Sequence, residues 1–204
     1  MSEINLSIQD SKLYQKGIKA LKRKNYAYAV ELFSQVLISN PEKIECRHNL
    51  WLSLRGRKSV FPPSVLKLIL EKIEIGFLQI KFIYFILFSK QALAISVIEK
   101  MIFLSPNNIS RLNRLALLFM SQDNTDSAKV VFEEVLIIDQ NNITALRQIM
   151  RLYFNDKSYH EAEVTAKLLL ENIHNDLDAV NMLKDIAAIG AMDGGFNNIR
   201  PAKE

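Results

Sequence analysis

The sequence predicts an all-α chain, a solenoid of helix-turn-helix repeats, and three observations carry that prediction. A small residue, a bulky apolar residue and a helix stop recur at fixed spacing, with a 34-residue period through much of the 204-residue chain. The intervening segments place apolar residues at i, i+3, i+4 and i+7, the signature of amphipathic helices. Six glycines and five prolines are too few for the many turns of an all-β chain of this length.

The period is clearest in the second helix of each unit. Ala29, Phe33 and Pro41 are separated by four and eight positions, as are Ala94, Ile98 and Pro106, then Ala128, Phe132 and Gln140, and more loosely Ala162, Ala166 and His174. The last three sets lie 34 residues apart. First helices align too, through Leu78, Leu112 and Leu146 and through Phe85, Phe119 and Tyr153. The alanine lets two helices approach closely, and the bulky residue four positions on fills the space beside it. Proline then ends the second helix. In the best-matching unit, Asn108 to Ser121 is an amphipathic helix with Leu112, Leu115, Ala116, Phe119 and Met120 on one face. The polar run Gln122 to Thr125 breaks it, and Thr125 or Asp126 is expected to cap the next helix.

The expected organisation is a flexible amino terminus over 1–9 and a single solenoid over 10–190. Its repeats span about 10–43, 44–74, 75–108, 109–142 and 143–176, followed by a capping helix over 177–189. Residues 191–204, with Asp193-Gly194-Gly195, read as a disordered tail. The second repeat is degenerate: it has 31 positions, and Phe61-Pro62-Pro63 interrupts it, leaving helices expected at Ile44–Gly56 and Ser64–Ile75. The helix over 77–88 is apolar on almost every side, so it is expected to be enclosed by flanking helices rather than to make an oligomer contact. Lys81 stands there where the next repeat has Leu115, requiring a rotated helix or a lysine stem laid along apolar surface.

The series Leu13, Gly17, Ala29, Phe33, Pro41 and the series Leu112, Ala116, Phe119, Ala128, Phe132 resemble tetratricopeptide repeats. That resemblance implies a right-handed superhelical α-solenoid whose first helices line a concave groove for an extended peptide or a partner helix. It implies a scaffold or adaptor, not an enzyme. Groove-facing places fall on Asn49, on Asn113 and Arg114, and on Arg147, Gln148 and Arg151. Arginine suits such a task because its planar fork engages carboxylates with paired hydrogen bonds, so an acidic partner segment is expected. The Lys-x-x-Gly-Asn clamp of chaperone-tail binders is missing, since the equivalent stretch holds Tyr14, Gly17 and Ile18.

Composition agrees with a binding protein and offers no chemistry. Apolar residues make up 49 % and charged residues 24 %, an ordinary globular balance. The lone Cys46 excludes an internal disulfide and a cysteine-rich zinc site. Met1 to Lys12 lacks the apolar core of a signal peptide. The most apolar stretch, Ile75 to Phe88, is 14 residues and too short for the ~20 that span a bilayer. A cytoplasmic protein is expected. His160-Glu161 lacks a second histidine four positions after the first, no glycine-rich phosphate loop precedes a helix, and Cys46 and His48 fall on different helix faces. Catalytic, metal and cofactor residues are therefore all expected to be none. Lys12, Lys16, Lys19 and Arg23 form a basic stripe on the first helix, flanked by Lys22 and Lys24. The polar outer face of a first repeat accounts for it. The alternative functions are a nucleic-acid or anionic-membrane binder through this helix, and a self-associating subunit that buries 77–88.

Overall fold

The computed structural model describes residues 8–40, 43–60 and 62–192, and 83 % of them are helical. Among these residues there are ten helices and no strand: α1 (Ile8–Lys22), α2 (Tyr26–Ser39), α3 (Ile44–Val60), α4 (Val65–Leu87), α5 (Gln91–Leu104), α6 (Ile109–Met120), α7 (Thr125–Ile138), α8 (Ile143–Asn155), α9 (Tyr159–Asn172) and α10 (Leu177–Met192). The expectations for residues 1–7, Pro41, Phe61 and the tail from Asp193 lie outside the described residues. Gln9 belongs to α1 and Ala191 to α10.

The turn inside four of the five repeats is one structure. Lys24, Ser89, Asp123 and Lys157 have φ of 59°, 53°, 57° and 61°. The residue after each is the N-cap of the following helix: Asn25, Lys90, Asn124 and Ser158. Its backbone N–H donates five residues back, Asn25 to Ala20 at 2.9 Å, Lys90 to Phe85 at 2.8 Å, Asn124 to Phe119 at 3.0 Å and Ser158 to Tyr153 at 2.9 Å. These bonds satisfy carbonyls that the ending helix leaves open, and they hold a left-handed residue that is costly for a side chain other than glycine. The cap expected at Thr125 or Asp126 is Asn124 instead, its Oδ1 accepting from Ser127 N at 3.1 Å. The left-handed Asp123 turns the chain one residue earlier.

Two compact units make up the chain, residues 1–111 and 112–204. In the first unit α1 packs on α2, and α2 on α3, around Ala20, Ala29, Phe33, Val36 and Cys46. Gly17 faces the Phe33 ring so closely that a Cβ there would lie 2.6 Å from Phe33 Cε1. The Tyr14 ring completes the cluster, 5.8 Å from that of Phe33. In the second unit α7, α8, α9 and α10 pack in succession. Leu146, Met150, Ala166, Leu169 and Ala179 form its core. The alanines at 29, 94, 128 and 162 and the residues four later, Phe33, Ile98, Phe132 and Ala166, are all fully buried.

The structure departs from the sequence reading at α4. Helices expected separately at Ser64–Ile75 and 77–88 are one helix of 23 residues. Only Gly76 stood between them, and a helical glycine costs about 1 kcal/mol, too little to break a helix without a proline or polar cap beside it. Nor is the apolar stretch enclosed. Phe82 is the buried residue of α4, with Leu78 and Phe85 half-buried, while Phe77, Ile80, Ile83, Ile86, Leu87 and Phe88 are exposed. A helix apolar on all sides carries more apolar surface than one neighbour covers, and α5 is the helix that packs along it. Lys81 is exposed, and Phe82, one repeat before the buried Ala116, takes the inward place.

Candidate partner-binding surface

Asn113 and Arg147 lie one repeat apart, and the structure gives them the same task. Asn113 Nδ2 donates to Asn142 Oδ1 at 3.2 Å. Asn142 is the N-cap of α8, its Oδ1 accepting from Ala145 N at 3.2 Å. One repeat on, Arg147 Nη2 donates to Asp176 Oδ2, and Asp176 Oδ1 accepts from Ala179 N at 3.1 Å in the first turn of α10. Each side chain therefore reaches from one first helix to the residue that opens the next, tying neighbouring repeats together.

Arg147 is also paired through Nε with Asp178 Oδ2 at 3.2 Å, and Arg151 Nη2 lies 2.9 Å from the same oxygen. Two of the three arginines expected to face the groove, Arg147 and Arg151, are thus paired with carboxylates of their own chain. Burial acts to raise the Asp176 pKa, but hydrogen bonds from Arg147 and from backbone N–H groups outweigh it and hold the carboxyl below its ordinary range. The same hydrogen bond holds the Arg147 guanidinium above its ordinary value. Arg114 and Arg151 are exposed, and Gln148 is half-buried. Gln148 is one repeat after Arg114 and Arg151 is one helical turn beyond it, so the three lie on equivalent faces of α6 and α8.

Asn49, in the first unit, is used internally. Its Nδ2 donates to Tyr14 Oη at 3.1 Å and to the Glu45 carbonyl at 2.9 Å, linking α3 to α1. Of the six expected residues, Asn113, Arg114, Arg147, Gln148 and Arg151 share the second unit and Asn49 belongs to the first. Cys46 is buried and donates to the Phe33 carbonyl; burial pushes its thiol up to about 12. Among the described residues no group of three or more His, Cys, Asp and Glu is placed to hold a metal. None of the described helices is long and apolar enough to cross a membrane.

Two surface features lie elsewhere in the first unit. A half-open hollow of about 330 Å³ between α2, α3 and α5 is walled by Leu37, Leu50, Trp51, Leu54 and Phe103, with the Arg47–Glu99 pair (2.9 Å) in its lining. No sequence signal marked it, because it arises from the register of three helices around the short second repeat. Lys12, Lys16, Lys19 and Lys22 on α1, and Arg23 and Lys24 in the turn after it, are all exposed. Lys16, Lys19 and Arg23 border a shallow depression with Asn25 and Tyr28.

No family model and no curated protein matches the sequence. Solved structures do match in fold. The first TPR of Spaghetti (RPAP3), bound to an HSP90 peptide, aligns at TM-score 0.50 and 19 % identity over 57 % of this chain and 93 % of that one. A thermophilic TPR protein in Thermus thermophilus aligns at 0.45 and 16 % identity over 88 % of this chain and 99 % of that one. The MamA protein aligns at 0.43 and 18 % identity over 80 % of this chain and 91 % of that one. At these identities the likeness is one of fold. The fold is of the tetratricopeptide type.

Proposed function

We propose that the chain is a non-catalytic, cytoplasmic protein-interaction scaffold that holds a partner segment on the exposed face of α6 and α8. One observation carries this reading: Arg114, Gln148 and Arg151 occupy equivalent faces of successive first helices, and both arginines are exposed. The RPAP3 repeat is a protein of this fold bound to a peptide. Asn113 and Arg147 belong to the site as its framework, since they fix the spacing of the helices that present the contacts. The favoured partner is an acidic peptide or helix. It would meet Arg114 directly and would share Arg151 with Asp178.

The test is an array of acidic, neutral and basic peptides, extended and helical, titrated with the full chain. Saturable binding to acidic members is expected, weakening as salt rises because exposed charges are screened over about 8–10 Å. Arg114→Glu with Arg151→Glu should abolish it while leaving the helical dichroism unchanged, since both side chains are exposed. Binding that survives this charge reversal refutes the assignment. The uninterrupted exposed cations of α1 favour a second reading, contact with nucleic acid or an anionic surface. A gel shift with generic duplex, lost on Lys16→Glu with Lys19→Glu, would support it over the first.

A further inference from the structure

The apolar face that α4 leaves in solvent repeats every seven residues. Leu66, Ile69, Ile73, Gly76, Ile80, Ile83 and Leu87 follow steps of three and four, with Leu70, Phe77 and Tyr84 along one side. This is the a/d pattern by which one helix packs along another. The large side chains of this stripe outside the inward line, from Leu66 to Leu87, are each 48 % to 77 % exposed. Taking about 150 Å² for a free side chain of this size, they present on the order of 800 Å² of apolar surface. The largest apolar patch of a typical monomer is about 300–600 Å², whereas a standard interface takes about 800 Å² from each partner. The face therefore has the area of one half of a dimer interface.

The stripe is also complementary to itself. Run antiparallel about a twofold axis near residue 78, it sets Ile69 against Leu87, Ile73 against Ile83, and Gly76 against Ile80, each pair occurring twice. Nothing lies within 4 Å of a Cβ placed on Gly76, so the glycine is an open notch in the stripe that the partner's Ile80 fills. Glu74 and Lys81 lie seven residues apart, hence on one flank. Antiparallel packing brings that flank against its own copy and sets each Glu74 beside the other chain's Lys81. Lys72, on the opposite flank, falls nearest the uncharged Ile86 of the other chain.

We propose that α4 is a self-association face, on which a second copy of this chain packs its own α4 antiparallel. An isologous contact of this kind closes as a dimer and leaves no further apolar stripe of α4 open. It is independent of the arginine face in the second unit, so either proposal stands if the other fails.

Sedimentation of the full chain at micromolar to tens-of-micromolar concentration should give twice the monomer mass. Ile73→Glu with Ile80→Glu should give the monomer mass with unchanged dichroism, because both positions are exposed and the monomer fold does not use them. Orientation is read from cysteines, with Cys46 buried and out of competition. Chains carrying Ile69→Cys mixed with chains carrying Leu87→Cys should form the mixed disulfide. Ile69→Cys alone should not cross-link, because antiparallel packing separates the two copies of position 69 by about 27 Å along the helix, far beyond disulfide reach. A wild-type monomer across that range overturns the proposal, as does a monomer that sediments with anionic vesicles, which would give the face to a bilayer. A double-glutamate variant that stays dimeric overturns it too, and cross-linking of Ile69→Cys with itself overturns the antiparallel pairing.

Discussion

Replacing Asp176 by alanine removes the hydrogen bonds that the start of α10 shares with α8. Its carboxylate caps α10 through Ala179 N and pairs with Arg147, and its side chain is only 5 % exposed. Loss of an N-cap costs about 1 kcal/mol. A charge-assisted hydrogen bond is worth about 1.5–3 kcal/mol, but Arg147 is 34 % exposed, and solvent screening brings this nearer 1 kcal/mol. Asp176→Ala should therefore cost about 2 kcal/mol, and Asp176→Asn, which keeps a cap, about 1 kcal/mol. For a chain of this size each kcal/mol lowers Tm by about 2–4 °C. The pH dependence follows from the depressed folded-state pKa. The contribution is full above the ordinary carboxyl value of 3.8 and is lost as pH falls through the lower folded value. Urea unfolding of wild type and Asp176→Asn should thus differ near neutral pH and converge well below 3.8. Hydrogen exchange should place the loss in α10 first, since the removed cap holds its first turn and elements open locally. Equal stability at neutral pH, or a gap that persists unchanged into strong acid, would refute the reasoning.

Phe132 is fully buried at the contact between helices, so Phe132→Ala should cost about 3–5 kcal/mol by denaturant unfolding. Gly17→Ala sets a methyl against the buried Phe33 ring and should cost about 1–3 kcal/mol. Lys157→Gly relieves a left-handed residue at an exposed turn, and thermal unfolding should show a gain of about 0.5–1 kcal/mol. Thiol labelling of Cys46 at mildly alkaline pH should wait on unfolding, because burial holds the pKa near 12; rapid labelling of the native chain would place the thiol at the surface.

The repeat was legible because packing writes itself into sequence as a period. Ala128 and Phe132 recur at one spacing since each pair of helices needs a close approach and a filler, and both are buried. The turns were less legible. Lys24, Ser89, Asp123 and Lys157 share a backbone conformation across three residue types, none of them glycine, so the period is plain in φ where it is blurred in the letters. The candidate surface was legible in position but not in use. Spacing put Arg147 beside Arg151, yet Asp176 and Asp178 lie on α10 or at its start, 25 or more residues away in sequence. The first-helix pattern says nothing about which carboxylate another helix brings.

The exposed stripe of α4 has its origin in the second repeat. Pro62 and Pro63 supply no backbone N–H, so α3 ends at Val60 and cannot be followed at once by a new helix. Ser64 then caps a helix that meets no stop until the left-handed Ser89, because Gly76 alone is too weak a break. One long helix stands where two short ones would have folded back on each other, and each short helix would have covered part of the other's apolar surface. The residues between 65 and 88 carry the hydrophobicity of an enclosed helix with α5 packed along one side. A sequence drifting under selection for solubility alone would replace Leu66, Ile73 or Ile80 with polar residues at little cost to the monomer, since surface positions tolerate change. The hydrophobic a/d steps run unbroken, apart from Gly76, to Leu87, which is the pattern a helix needs when another helix lies along it.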